Sequence, residues 1–200
     1  MRPRHIHRLA AFIPPLMLAL AGISCGATQP SKFYLLNAVD TQPANSAHID
    51  IGLGPIEFPA YLDRNMIIVR TGANSFETAE YHRWAEPLEI NFTRVLAQNL
   101  GNVLPNAVVA IYPWRNGKEV NLQALIEVIS FDSDNNNQAR LHVRWELIDA
   151  EKKTITPPQL HEYIKTARNG DYEARVQAMS ECVAALGQEL AQEIARITSR

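Results

Sequence analysis

The residue types best suited to chemistry form a short polar group that comprises Glu80, His82, Arg83 and Glu86. Histidine and carboxylate side chains exchange protons near neutral pH, so this group has the composition of a general acid–base pair. The same side chains would serve equally well as ion pairs at the end of an exposed strand. The sequence has neither the Gly-x-Ser-x-Gly motif of serine hydrolases nor a phosphate-binding loop, and it lacks metal-ligand spacing. We therefore predict a protein that is not an enzyme and that binds no cofactor or metal.

Two further stretches resemble binding loops only in part. Asp132 and Asp134 stand where a calcium loop would begin, but the glycine and the closing glutamate of that loop are missing, so we predict a solvated hairpin turn over 132–137. Gly52 and Gly54 resemble the start of a nucleotide-binding loop. Because Pro55 follows them, without a third glycine or a helix, they favour the end of a strand or a β-bulge.

Cys25 stands at the end of the stretch with the most specific chemistry. Arginines but no acidic residues precede residue 9. An apolar run over 9–23 follows, and Ser24 and Cys25 come directly after it, so the stretch ends in Gly22-Ile23-Ser24-Cys25. This order is that of a secretory signal, and the run is shorter than the roughly 20 apolar residues of a membrane span. The last four residues resemble a bacterial lipobox, in which the cysteine receives a diacylglycerol, although Gly22 replaces the usual Leu, Val or Ile. An ordinary cleaved signal with a chance cysteine is the alternative.

These features predict a signal peptide over 1–24, lipid attachment at Cys25, a tether over 25–32 and a single domain over 33–200. Gly26 favours the outer membrane, since Asp there would resemble the signal for retention in the inner membrane. Three of the 19 basic residues and none of the 21 acidic residues lie in the signal, so its removal changes the net charge from −2 to −5. An acidic domain argues against nucleic acid as a partner. Cys182 is then left alone, and we expect a small buried apolar residue within a helix.

Hydrophobic periodicity predicts the elements that position these residues. Alternating or continuous apolar stretches indicate strands at 33–36, 48–58, 66–70, 75–84, 108–112, 120–131, 139–148 and 160–167. Apolar residues at three- and four-residue spacing indicate two helices, one over about 87–103 and one over about 172–197, the second capped by Asp171. Residues 149–158 are predicted to be a loop because they contain Pro157 and Pro158.

The expected fold class is therefore α/β, with a mixed β-sheet of about seven to eight strands and two long helices packed on it. The apolar face of the last helix, which includes Val176, Val183 and Leu190, is predicted to pack on the sheet. A contact between subunits through the same face is the alternative, and it would make the protein a homo-oligomer.

Two segments resemble a known family. They are GPIEFPAYLDRNMIIVR at 54–70 and YHRWAEPLEINFTRVLAQNL at 81–100. Together with FYLL at 33–36, the Tyr112-Pro113-Trp114 strand end and the strand that contains Trp145, they resemble the ABC-type transport auxiliary lipoproteins of the PqiC type. The resemblance covers nearly all of the chain after the predicted signal, and its densest parts are 59–64 and 82–87.

The resemblance implies a non-enzymatic lipoprotein that faces the periplasm, typically from the outer membrane. It implies MCE-domain proteins as partners, which form a lipid conduit across the periplasm and in some systems work with an inner-membrane ABC permease. Tyr61, Arg64, Arg83 and Trp84 are the residues expected to contact the partner, since aromatic and arginine side chains are favoured interface anchors. Core packing is the alternative for Tyr61 and Trp84. Two rival functions stay open: a structural envelope lipoprotein without a transport role, and a hydrolase of an envelope polymer.

Overall fold

The computed structural model describes residues 29–43, 48–114 and 120–199, so the predicted signal peptide and Cys25 lie outside the described residues. Ser31–Arg200 form one unit. Its strands are β1 (Lys32–Tyr34), β2 (Ile49–Glu57), β3 (Met66–Gly72), β4 (Ser75–Trp84), β5 (Ala107–Ile111), β6 (Leu122–Asp134), β7 (Gln138–Asp149) and β8 (Thr154–Thr166). Its helices are α1 (Leu88–Val103) and α2 (Tyr172–Thr198), and one turn of 3-10 helix covers Ala60–Leu62.

The sheet is organised around β6. One edge of β6 pairs antiparallel with β7, which in turn pairs with β8. The other edge of β6 pairs parallel with two strands. The first half of β6 pairs with β2, and its end, at Ser133 and Asp134, pairs with Val69 and Arg70 of β3. β5 extends the sheet beyond β2, while β4 and then β1 extend it beyond β3. The eight strands of the described residues thus mix parallel and antiparallel pairs, which confirms the predicted fold class.

Both helices bury their apolar faces against the sheet and against each other. α1 lies next to β2 and β5, and α2 lies next to β6, β7 and β8. In β7, Leu141, Val143, Trp145 and Leu147 are buried, whereas most of the residues between them are polar and less buried. Each large apolar side chain buried in this way contributes about 1.5–3 kcal/mol. The predicted alternation in this strand and the predicted packing of α2 on the sheet are both confirmed.

The residues at the start of each helix explain where the helices begin. The Asp171 carboxylate accepts a hydrogen bond from the N–H of Ala174 at 2.7 Å and so caps α2. Pro87 precedes α1, where the backbone needs no N–H donor. The two helices approach closely at Gly187, where a Cβ atom would lie 3.0 Å from Cβ of Asn99. Within the described ranges, no helix is long and apolar enough to cross a membrane.

The prediction of a loop over 149–158 is wrong from Thr154 onward, whereas residues 150–153 do form a turn. β8 begins at Thr154 and runs through Pro157 and Pro158 while it pairs with β7. Proline lacks the N–H that a central strand would need, but β8 lies at an edge of the sheet, where hydrogen bonds are required on one side only. The register shift between Trp145 and Leu147 lies opposite these prolines, which shows where the pairing adapts to them.

β2 contains the irregularity that its glycines predict. The register of β2 with β6 shifts between Leu53 and Ile56, which confirms the expected bulge. A Cβ atom on Gly52 would lie 2.5 Å from the indole ring of Trp114, and Gly54 has a φ of +104°. The two glycines therefore serve packing and backbone conformation within a strand.

Candidate functional site, a cleft at the end of β4

The two segments that carry the family resemblance meet at one end of the sheet. The first contains the 3-10 turn between β2 and β3, and the second joins the end of β4 to α1. A cleft of about 770 Å³ opens between them, and all of its lining residues fall within 58–65 and 84–90. β3 and β4 pair as an antiparallel hairpin between the two segments, and the pairing of Met66 with Arg83 brings the segments side by side.

Backbone hydrogen bonds hold the walls of the cleft in place. In the turn, the N–H of Leu62 donates to the carbonyl oxygen of Pro59 at 2.9 Å. The N–H of Trp84 donates to the carbonyl oxygen of Asn65 at 2.7 Å, which ties the second segment to the first. The N–H of Ala85 donates to the carbonyl oxygen of Tyr34 at 2.9 Å and so fixes the same segment to β1. Both walls are therefore rigid parts of the sheet end.

The floor of the cleft is apolar. Leu62, Trp84 and Leu88 are buried, and Trp84 retains only 5% of its exposure. Phe58 packs edge-on against Phe92 of α1 with ring centres 5.2 Å apart. The floor is thus continuous with the hydrophobic core, and a bound molecule would rest on side chains that cannot move freely.

The rim of the cleft is charged, and several of its residues are exposed. Glu86 forms an ion pair with Arg94 of α1. Arg64, Glu89 and Ile90 are exposed, and Ile90 keeps 57% of its exposure although it is apolar. An apolar floor with a few charged groups at the rim suits a short peptide segment or a small apolar molecule.

The four residues predicted to contact a partner divide between the cleft and its surroundings. Arg64 lies on the rim, and Trp84 forms part of the floor. Tyr61 lies on the opposite side of the 3-10 turn, where its ring stacks on Phe76 with ring centres 5.2 Å apart. Arg83 is half-buried, and its Nε is buried without a hydrogen-bond partner among the described residues. The structure therefore brings two of the four residues to one surface.

An ion pair that the sequence did not predict lies behind the turn. Asp132, with 2% exposure, accepts hydrogen bonds from Nε of Arg70 at 3.0 Å and from Nη2 at 2.8 Å. The Arg70 guanidinium lies 4.4 Å from the centre of the Phe76 ring, on which Tyr61 stacks. Burial, followed by the charge of Asp132, raises the pKa of Tyr61. We call Tyr61, Arg70, Phe76 and Asp132 the Asp132 cluster.

The Asp132 cluster corrects the prediction for 132–137. Asp132 and Asp134 belong to β6, and the turn that follows them is shorter than predicted. Asp132 is buried because β3 pairs with the end of β6 and places Arg70 beside it. The many polar residues of this stretch are typical of a turn, and no local feature indicates that the first of them has a buried partner.

The proposed acid–base group is not assembled as one site. The Tyr34 hydroxyl and Nδ1 of His82 are hydrogen-bonded at 2.7 Å, and the imidazole stacks on Tyr172 with ring centres 3.8 Å apart. Burial and then the charge of Lys32 lower the pKa of His82. Glu86 has a different partner, the Arg94 guanidinium in the cleft. The geometry thus gives His82 and Glu86 separate structural contacts.

Cys182 has the environment predicted for it. It is fully buried in α2, and burial raises the pKa of its thiol to about 12. A thiol in this state is a poor nucleophile. The described residues contain no group of three or more His, Cys, Asp or Glu side chains placed to hold a metal ion.

One signal in the sequence points to the cleft. The buried residues of α1 recur at the helical period, and Ile90 falls outside that stripe. An apolar residue on the otherwise polar face of a helix, next to a segment with many aromatic and charged residues, marks a surface that is open to a partner.

Solved structures that share this fold include the following two. The crystal structure of an uncharacterised protein has a TM-score of 0.70 at 19% identity, and the alignment covers 83% of this chain and 99% of that one. The crystal structure of a protein from Xanthomonas campestris also has a TM-score of 0.70, at 14% identity, over 84% of this chain and 96% of that one. Identities this low show a common fold alone. No curated protein matches the chain.

The match to a family model covers most of the chain. Residues 34–191 match the model of the ABC-type transport auxiliary lipoprotein component, which confirms the resemblance found in the sequence. This range contains both walls of the cleft. The model describes an auxiliary component of transport and not a family of enzymes. The chain therefore belongs to the ABC-type transport auxiliary lipoprotein family.

Proposed function

We propose that this protein is the outer-membrane docking component of a lipid transport system. It is anchored through acyl chains on Cys25, faces the periplasm and binds an MCE-domain protein in the cleft at the end of β4. The observation that carries the proposal is that both segments with the densest family resemblance form the walls of this one cleft. The protein acts as a binding module and not as an enzyme, and the conduit formed by its partner carries the lipid.

The choice of Cys25 as the anchor follows from the cysteines of the chain. Members of the family are lipoproteins, and the sequence offers only Cys25 and Cys182 for acylation. Cys182 has no exposed surface and lies in the middle of α2. An acyl chain there would have to enter the hydrophobic core, so Cys25 is the cysteine that fits the modification.

The direction of β1 supports a cleft that is open to a partner. β1 runs parallel to β4, and Tyr34, its last residue, pairs with Trp84 of the cleft floor. The first residue of β1 is therefore at the end that points away from the cleft. A tether that enters β1 at this end does not have to cross the cleft.

The rim and the floor have separate roles in docking. The floor excludes water from apolar side chains of the partner, which supplies affinity in proportion to the area buried. The exposed charges of Arg64 and Glu89 determine which partner residues are tolerated at the rim. Arg94 is already paired with Glu86, so Arg64 is the rim cation to test first.

The proposal is tested by co-purification from gently solubilised membranes, with mass spectrometry of the recovered proteins. The tagged full chain is expected to recover an MCE-domain protein, with or without an ABC permease. The Cys25→Ala variant controls for contacts made away from the membrane. Recovery of peptidoglycan-associated proteins alone, or of no protein, would favour the structural envelope lipoprotein instead.

A matched pair of charge reversals tests the cleft. Arg64→Glu should release the partner and leave the fold intact, because Arg64 is an exposed rim residue. Arg168→Glu makes the same change at an exposed residue of the β8–α2 loop, which does not line the cleft, and should retain the partner. Equal recovery with both variants would remove Arg64 from the docking surface.

A further inference from the structure

Two apolar side chains at the start of the domain are open to solvent. Phe33 keeps 64% of its exposure and Leu35 keeps 39%. Both line a groove of about 380 Å³ that separates β1 from the first turns of α2. Among the described strands β1 pairs with β4 alone, so its second edge borders this groove. We call Phe33, Leu35 and the groove beside them the β1 patch.

The β1 patch stands on a rigid support. Behind it, Tyr34 is hydrogen-bonded to His82, and the ring of Tyr172 stacks on the same imidazole. The N–H of Leu36 donates to Oδ1 of Asn91 at 2.6 Å, which fixes the chain to α1 directly after the patch. Phe33 and Leu35 are thus held outward by a packed base.

The length of the tether determines what lies near the patch. Phe33 follows Cys25 by eight residues. An extended chain spans at most about 3.3–3.6 Å per residue, so Phe33 stays within about 29 Å of the acylated residue. Ile164 of β8, which is similarly exposed, belongs to a strand at the far edge of the sheet from β1.

The chemistry of the patch suits the interface of a lipid bilayer. Aromatic and aliphatic side chains partition into the boundary between headgroups and acyl chains, and tyrosine is favoured at the same depth. Lys32 begins β1 and Glu173 lines the groove, so the patch carries one charge of each sign. Attraction to anionic lipid is therefore weak, and burial of apolar surface is the main contribution.

We propose that the β1 patch contacts the surface of the membrane that holds the anchor, and that this contact orients the domain on a zwitterionic bilayer. The inference rests on the Cys25 anchor of the proposed function and is independent of any protein partner. No residue of the patch lines the cleft, so the membrane and a docked partner occupy different surfaces. Two attachments, one covalent and one apolar, then restrict the rotation of the domain about its tether.

The experiment uses the full acylated chain in phosphatidylcholine vesicles. An environment-sensitive fluorophore is placed on a new cysteine, either Leu35→Cys or Ile164→Cys, which have similar exposure at opposite edges of the sheet. Cys25 carries lipid and Cys182 is buried, so the new thiol is the one that reacts. The probe at residue 35 should shift to the blue and lose most of its emission to doxyl-labelled lipid, at low and at high salt. The probe at residue 164 should respond to aqueous iodide instead.

Two controls keep the outcomes separate. Phe33→Asp in the Leu35→Cys background should restore quenching by iodide, with unchanged far-UV circular dichroism, because Phe33 lies outside the core. Equal quenching of both probes by doxyl lipid would overturn the proposal. So would a probe at residue 35 that is shielded from lipid and iodide alike, since that result places a protein on the patch. Mass spectrometry of the peptide with Cys25 is read independently: a missing acyl chain would overturn the anchor itself.

Discussion

The 3-10 turn separates two regions that are built from the same kinds of side chain. On one side, the aromatic, cationic and acidic groups of the Asp132 cluster contact one another within the chain. On the other side, the cleft presents Trp84 as its floor and leaves Arg64, Glu89 and Ile90 exposed at its rim. The comparison shows that residue types typical of interfaces do not by themselves mark one. What distinguishes the cleft is that three of its rim residues stay exposed among the described residues, whereas Arg70 and Asp132 are paired with each other.

The largest effect on stability is expected for Trp84→Ala. The indole is almost fully buried beneath the cleft, so its removal should lower the free energy of unfolding by about 3–5 kcal/mol. Urea unfolding of the variant and of Trp84→Phe measures this loss, and Trp84→Phe should lose less because it refills part of the space. A Trp84→Ala protein that is as stable as wild type, yet fails to bind a partner, would move Trp84 from the core to the docking surface.

The next largest effect is expected for Asp132→Ala. The Arg70 guanidinium would lose a bidentate partner inside the protein. The free energy of unfolding should fall by about 2–3 kcal/mol, less than the 3–5 typical of fully buried pairs, since Arg70 keeps some contact with water. Glu127→Ala is the matched control, because it breaks the exposed pair with Arg144 and should change stability by less than about 1 kcal/mol. Equal losses of stability in the two variants would show that the pair of Asp132 with Arg70 stabilises the fold no more than an exposed ion pair does.

A smaller effect concerns pH. The pKa of His82 is lowered in the folded protein by burial and by Lys32, so the folded state binds fewer protons than the unfolded state. Stability from this group is fully present above the unfolded pKa of about 6.5 and is lost as pH falls through the lower folded pKa. The urea midpoint measured between about pH 5 and 8 should decrease toward the acid end, less steeply in His82→Gln.

Lys32→Ala sharpens the test of His82. Removal of the second cause of the lowered pKa should weaken the pH dependence without abolishing it, because burial is the larger cause. If His82→Gln and wild type follow the same profile, the interior packing of His82 against Tyr34 and Tyr172 contributes no pH-dependent stability.

The sequence predicted the parts of the fold that depend on local patterns. The alternation in β7 and the helical stripe of α2 are short-range features, and both were identified with nearly correct limits. The pairing of β6 with β2 and β3 joins residues far apart in the chain, and no local pattern encodes it. The buried state of Asp132 depends on that pairing. The two walls of the cleft differ in this respect, because the β3–β4 hairpin that joins them is a short-range feature.

The smallest change in stability is expected for Ile90→Ala, and here the comparison of the two regions is most direct. Ile90 is exposed on α1, so the free energy of unfolding should stay within about 0.5 kcal/mol of wild type. If the rim binds a partner, loss of the side chain should weaken binding roughly tenfold, since the methyl and methylene groups removed contribute about 1–2 kcal/mol when buried. Leu160→Ala removes an equally exposed side chain from β8 and should leave the dissociation constant unchanged. Weaker binding in Leu160→Ala alone would place the docking surface on the edge of the sheet, and the cleft would then be part of the framework, like the Asp132 cluster behind it.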